Sequence, residues 1–247
     1  MSLPIEDAGR ITIHVVPTAS LSEDQWETLY GICLIWFTGY GLDFFREECG
    51  KSRHCILMHD DADGPIVGFA NLYQQEAVIA GRRVGLFYTG HCFALKEHWG
   101  SSALIRGLIA LMGREMRGAD PDITWYWHYS AIGFRSYRYM PLLFRHFIPQ
   151  VDHAADPFDR ALRDRLGEEI FGDVYEPGSG LIDWNCEGYA LSSLASEISD
   201  AKLANSTISV IDQLNPRWAE GVEILCQARM STDNLTRLSS RWIKAEL

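Results

Sequence analysis

His91 and Cys92 stand side by side in "YTGHCFAL" (Tyr88–Leu95), and both side-chain types can drive group transfer. An imidazole with an unperturbed pKa of about 6.5 takes up a proton near neutral pH. A cysteine activated by a histidine can form a covalent acyl-enzyme, which would make a thiol hydrolase. The strand texture of the segment weighs against that pairing. Neighbours in a strand point to opposite faces, so His91 is poorly placed to activate Cys92. Cys92 then reads as a small buried hydrophobe. His91 reads as a base on one face with Phe87, Thr89 and Phe93, or as a hydrogen-bonded interior histidine. Glu76 and Glu97 are the other carboxylate candidates for a base.

Directly downstream, Lys96-Glu97-His98-Trp99-Gly100-Ser101-Ser102 separates this strand from a helix predicted over Ala103–Met116. Small residues let a backbone approach a phosphate closely, and the first four N–H groups of a helix are free at its positive dipole end. Read alone, strand, Gly/Ser loop and helix is either an anion-binding loop or a plain turn. Tyr137 and Tyr139 follow the next predicted strand. A phenol with a pKa of about 10 can return a proton to a thiolate and still be protonated at rest.

The elements that must position these groups are legible in outline. "RITIHVVPTA" (Arg10–Ala19) has strand texture. Ser22, three before Gln25, is a capping-box pattern, and the helix it opens is predicted to run until Gly39 and Gly41 stop it. A second helix is predicted for Leu42–Cys49. Strands follow at His54–Asp60, from Ile66 through Ile79, and after the turn at Gly81, giving an antiparallel meander. Asp122–Ser130 is an aromatic-rich strand, with Trp125 and Trp127 on one face and Tyr126, His128 and Ser130 on the other. The aromatics fit either a core or a bulky acceptor pocket. "FRSYRYMPLLFRHF" reads as a helix that Pro141 pushes to begin near Met140. Beyond Ile148 come an amphipathic helix in "FDRALRDRLGEEIFG", a short strand in "LIDW", a strand at Val222–Met230, a weaker second strand in the stretch from Ser206, and a closing helix at Asn234–Ala245.

Composition narrows the function classes. Apolar residues make up 47% of the 247 and charged residues 22%, enough for a packed core. A net charge of -11 disfavours a nucleic-acid surface and an anionic membrane face. It leaves room for a phosphorylated ligand, since a local nest of amides binds phosphate against the overall field. No segment is apolar for the roughly 18 residues a membrane span needs. The N-terminus lacks a secretory leader pattern, and the six cysteines lack metal-ligand spacing. Reduced thiols in a cytoplasmic protein without a metal are the expectation.

The element order over Arg10–Phe147 resembles the GNAT superfamily of acyl-CoA-dependent N-acyltransferases. The carrying residues are Glu97-His98-Trp99-Gly100-Ser101-Ser102, set against the family's Gln/Arg-x-x-Gly-x-Gly/Ala loop. Gly100 matches the central glycine. Ser102 replaces a glycine or alanine. Glu97 replaces a Gln or Arg, which moves the cationic role to Lys96 or Arg106. The resemblance implies an α+β fold, a mixed and mostly antiparallel central sheet flanked by helices, with residues 148–247 as a C-terminal elaboration of one domain. It implies acyl-CoA, acetyl-CoA first, as co-substrate and a small-molecule amine as acceptor. It implies a base on the strand before the loop, hence His91. Backbone groups of Cys92, Phe93 and Ala94 and the loop residues Gly100, Ser101, Ser102 and Ala103 would hold the donor. Ser130 stands where the family has an Asn, and Tyr137, seven residues on, or Tyr139 would be the general acid. The alternative is a binding module of the same fold that has lost catalysis. The C-terminal third is open between covering the acceptor site and building a homodimer.

Overall fold

The computed structural model describes residues 11–39, 41–151, 153–184, 190–192 and 206–245. Arg10 and Cys186 lie outside the described residues. Strand β1 (Thr12–Pro17) leads into helix α1 (Glu23–Cys33). The Ser22–Gln25 capping box forms in full: the serine hydroxyl accepts from Gln25 N, and the Gln25 amide oxygen accepts from Ser22 N. Such a cap is worth about 1 kcal/mol. α1 ends earlier than the glycines predict. Trp36 leaves the helix to stack on Phe93 and Trp99, and Phe37–Thr38 form a short strand, β2. Tertiary aromatic packing here overrides local helical spacing.

Helix α2 (Leu42–Gly50) follows, and then the meander β3 (His54–His59), β4 (Ile66–Ile79) and β5 (Arg82–Thr89). The third strand is not continuous. After Gly90 and His91 it resumes as β6 (Cys92–Ala94). Tyr73 pairs with Tyr88, and Ala70 with Cys92, so Leu72 and Asn71 oppose three residues, Thr89, Gly90 and His91. One extra residue is a β-bulge, and it flips the side-chain parity downstream. Thr89 therefore faces the α3 side, accepting from Trp127 Nε1, while His91 and Phe93 face the opposite side. The shared face expected for Phe87, Thr89, His91 and Phe93 is corrected accordingly.

Helix α3 (Ala103–Gly118) leads to β7 (Thr124–Ala131). Two short helices, α4 (Phe134–Tyr137) and α5 (Tyr139–Leu143), replace the single helix expected here. Pro141 is the third residue of α5, a first-turn position where no N–H is missed. Helix α6 (Pro157–Phe171), strands β8 (Tyr175–Glu176), β9 (Leu181–Ile182) and β10 (Ala190–Leu191), helix α7 (Ser206–Leu214), strand β11 (Glu223–Arg229) and helix α8 (Arg237–Trp242) complete the described chain. The weaker late strand is thus helix α7.

The main sheet runs β1-β3-β4-β5-β7-β11-β9-β8, with β6 paired to β4. Every pairing is antiparallel except β5 with β7. The fold is the α+β, mostly antiparallel sheet with flanking helices that the resemblance implies. On one face, α3 packs on Phe87, Trp125 and Trp127, together with residues of α5 and β11. Gly85 makes room for this packing, since a Cβ there would lie 2.3 Å from the Trp125 ring. On the other face, α1 and α2 cover β3 and β4, and α6 covers β5 and β7.

Candidate active site

The parallel pairing of β5 with β7 ends at Thr89 and Tyr129. Beyond it the two strands part. β6 continues along β4, while β7 continues along β11 through Ser130 and Ala131. Among the described residues no strand covers the outer edge of β6. Cys92 is exposed there, contrary to the buried position expected, because the split removes its neighbour.

The split leads to the loop. Lys96–His98 form a 3₁₀ turn, and Trp99 Nε1 donates to Ala94 O, tying the loop to β6. Ser102 is the N-cap of α3 yet makes no side-chain cap. Ser101 Oγ accepts from Ala103 N. A Cβ on Gly100 would meet nothing within 4 Å, so the chain's own packing does not require glycine there. Glu97 is exposed. Arg135, on α4, lies with its guanidinium 4.8 Å from the Trp99 ring and so reaches from the β7 side of the split to the loop.

On the opposite face of the sheet is a cleft of about 310 Å³. Gly90 and Ser130, the residues at which the strands part, are both in its lining. α2 contributes Phe44 and Glu48, β4 contributes Asn71 and Tyr73, and the end of α6 contributes Glu169, Ile170 and Phe171; Trp184 and Glu223 complete that wall. Phe171 meets Tyr88 and Trp184 edge to face, with ring centroids 5.8 and 6.0 Å apart.

Glu223, at the start of β11, is only 6% exposed. Burial pushes its carboxyl up to about 7, against a smaller lowering by a hydrogen bond with Ser130. The Ser130 hydroxyl is also within hydrogen-bonding reach of the Tyr88 phenol. Burial, then the Glu223 charge, raises the Tyr88 pKa far above the usual phenol range, so this hydroxyl stays protonated. A Cβ on Gly90 would lie 3.2 Å from the Tyr88 oxygen. Tyr88, Ser130 and Glu223 thus gather in the lining of the cleft next to the split. A carboxyl near 7 is poised to take and give a proton at neutral pH.

The residues singled out from sequence are distributed differently. His91 lines the cleft but is buried among Phe45, Phe69 and Phe93, and burial lowers its pKa to about 4. Its backbone N–H donates to Asn71 Oδ1, and its Nδ1 lies 3.4 Å from Asn71 Nδ2 and 3.6 Å from Cys49 Sγ. An imidazole of that pKa is a weak base toward an ammonium. Tyr137 is buried in the α3-side core and donates its hydroxyl to Pro149 O at 2.9 Å. The Tyr139 oxygen accepts from Arg138 at 3.5 Å. Glu76 is on β4 opposite Gly85, outside the cleft lining. Cys92, Phe93 and Ala94 form β6, and Gly100 to Ala103 form the end of the loop and the start of α3. Trp125 and Trp127 are core; the aromatics of the cleft are instead Tyr73, Tyr88, Phe171 and Trp184 with Phe37 and Phe44. Sequence reasoning missed Glu223 and Tyr88. The one signal available was a carboxylate, "VEILCQA", opening an otherwise apolar strand.

Among the described residues no group of three His, Cys, Asp or Glu side chains could hold a metal ion, and no helix is long and apolar enough to cross a membrane. No family model matches the chain, and no curated protein matches it. Solved structures to which it is similar include a mutant AtaT toxin bound to the C-terminus of the antitoxin AtaR and acetyl-CoA, at 12% identity and TM-score 0.39, covering 59% of this chain and 89% of that one. A ribosomal-protein-alanine N-acetyltransferase from Brucella melitensis is 14% identical, with TM-score 0.40 and coverage of 59% and 96%. An acetyltransferase from Trypanosoma brucei is 18% identical, with TM-score 0.37 and coverage of 59% and 99%. At these identities the fold assignment rests on the sheet order itself.

Proposed function

We propose that the chain is an N-acyltransferase that moves an acetyl or other short acyl group from acyl-CoA to an amine held in the cleft. The observation that carries this reading is the split between β6 and β7. It joins a Gly/Ser loop at a helix N-terminus on one face of the sheet to a cleft holding a buried carboxyl on the other. The residues fit a long donor with an anionic head. At the α3 N-terminus Ser102 makes no side-chain cap, Ser101 Oγ takes only the Ala103 N–H, and Gly100 leaves open space beside it. Gly100, Ser101, Ser102 and Ala103 would hold the pyrophosphate, and the uncovered edge of Cys92–Ala94 would hold the extended arm.

Acyl-CoA, when bound, supplies an activated thioester carbonyl. Glu223 accepts the proton of the acceptor ammonium, which its carboxyl can do at neutral pH. Glu223, once protonated, returns that proton to the departing thiolate, while Tyr88, whose raised pKa keeps its own proton, offers a hydrogen bond beside Gly90. Ser130 lines the cleft with both and helps to orient them. This assigns the base to Glu223 in place of His91, and the acid to the same carboxyl in place of Tyr137 or Tyr139. His91 is a positioning residue that fixes the bulge through Asn71.

The test is release of free thiol from acetyl-CoA with a panel of primary amines. Amine-dependent thiol release, and an acylated amine by mass spectrometry, are expected. Absence of turnover, together with no thermal shift by any CoA ester, overturns the reading.

A further inference from the structure

The charges around the cleft are not balanced. Its lining includes Glu48, Glu169 and Glu223, against Lys51 and a His91 that is neutral at physiological pH. Lys51 is already taken, since its Nζ lies 2.5 Å from Glu48 Oε1. Neither Glu169 nor Glu223 has a cation within 4.0 Å among the described residues. The two carboxylates sit at different depths. Glu223 is buried beside Ser130, whereas Glu169 is exposed on the last turn of α6.

The end of α6 is unusual for a helix terminus. Its last turn holds Glu168 and Glu169 and no basic residue. Carboxylates at the negative end of the helix dipole repel it, and a cation brought there is favoured by both. The rings of Tyr88, Phe171 and Trp184 line the same cleft as the two carboxylates. Aromatic faces attract ammonium groups and bury methylene chains. The net charge of -11 would draw cations toward such a cleft from a distance.

We infer that the acceptor is a diamine or longer polyamine, with the reacting amine at Glu223, an alkyl chain along the aromatic wall, and a second ammonium at Glu169. The inference rests on the acyl-transfer reading of the same cleft, and it adds a requirement that reading does not make. A simple amine acceptor needs one carboxylate. A second carboxylate at the mouth matches a substrate with a second positive charge.

Two measurements separate this inference from the reading beneath it. In steady-state thiol release with acetyl-CoA, 1,4-diaminobutane and 1,8-diaminooctane are compared with butylamine and octylamine. At least one diamine is expected to exceed its chain-matched monoamine about tenfold in kcat/KM, the effect of one well-placed ion pair in a partly desolvated site. Glu169→Gln should shrink that ratio toward one, mainly through KM for the diamine. Equal turnover of diamines and monoamines, or a preference for phenethylamine, overturns the inference and leaves acyl transfer standing. Calorimetry of the same amines with the full chain and no donor is the second arm. Tighter binding of a diamine, weakened by Glu169→Gln, is expected even if acetyl-CoA proves the wrong donor. Equal or absent binding of both amine types overturns the inference.

Discussion

The Lys96–Ser102 loop draws its polar groups from seven consecutive residues, whereas the Tyr88–Ser130–Glu223 cluster takes one residue each from β5, β7 and β11. The loop lies in open space at the start of a helix, and its Gly100 and Glu97 are exposed. In the cluster Tyr88 and Ser130 are half-buried and Glu223 is buried, and burial is what lifts the Glu223 carboxyl to about 7. The loop's groups are local, set by neighbouring residues. The cluster's use is electrostatic and depends on three strands meeting in register. In β11, Leu225 opposite Ser130 sets how near Glu223 comes to the serine.

The contrast can be broken first at the cluster. Glu223→Gln should lower kcat/KM by about a hundredfold or more, the usual cost of losing a positioned base. In the unaltered chain, kcat/KM should rise with pH through about 7 and then level, because the carboxyl must be ionised to accept a proton. That inflection should vanish in the Gln variant. A pH profile that levels above about 4, where His91 titrates, with no inflection near 7, would return the base to His91.

The loop should respond to charge rather than to shape. Ser102→Asp places an anion at the start of α3, where Ser102 itself makes no side-chain cap. An Asp at this position is a good N-cap, so the melting temperature should rise, while KM for acetyl-CoA rises about tenfold through repulsion of the donor's phosphates. A parallel loss of stability and affinity would show that the loop is only a turn.

Stability against pH sharpens the same comparison at smaller cost. Glu223 has its pKa raised on folding from 4.5 to about 7. Its contribution is therefore fully present below 4.5 and is lost as pH rises to about 7. That elevation amounts to about 3 kcal/mol at most. His91 and His128 have the opposite sign. Their pKa values fall from 6.5 to about 4, so stability is lost as pH drops from 6.5 toward 4. Urea denaturation at pH 4 and pH 8 should show Glu223→Gln gaining stability relative to the unaltered chain at pH 8 and little at pH 4. The smallest effect belongs to Cys92→Ala. With only its backbone facing the donor, turnover should change by less than about threefold, whereas a covalent thiol mechanism would abolish it.

The sequence was most informative where chemistry is contiguous. The Ser22–Gln25 cap, the meander from β3 to β5 and the passage from loop to α3 depend on neighbours three or four residues apart, and period and turn chemistry expose such spacings. It was least informative where one added residue changes parity. A single bulge at Thr89–His91 moves His91 across the sheet, and alternation alone cannot reveal it, because the pairing partner on β4 defines the extra residue.

The sequence by itself determined most of the strand and helix order through β7, the small-residue loop before α3, and a net charge of -11. Only the tertiary structure decided which titratable groups share a site. Glu223 follows Tyr88 by more than a hundred residues and becomes its neighbour because β7 and β11 carry the sheet from one to the other. Its elevated pKa also belongs to the fold: a pKa shift records the surroundings of a group, and those surroundings exist only when the strands have met.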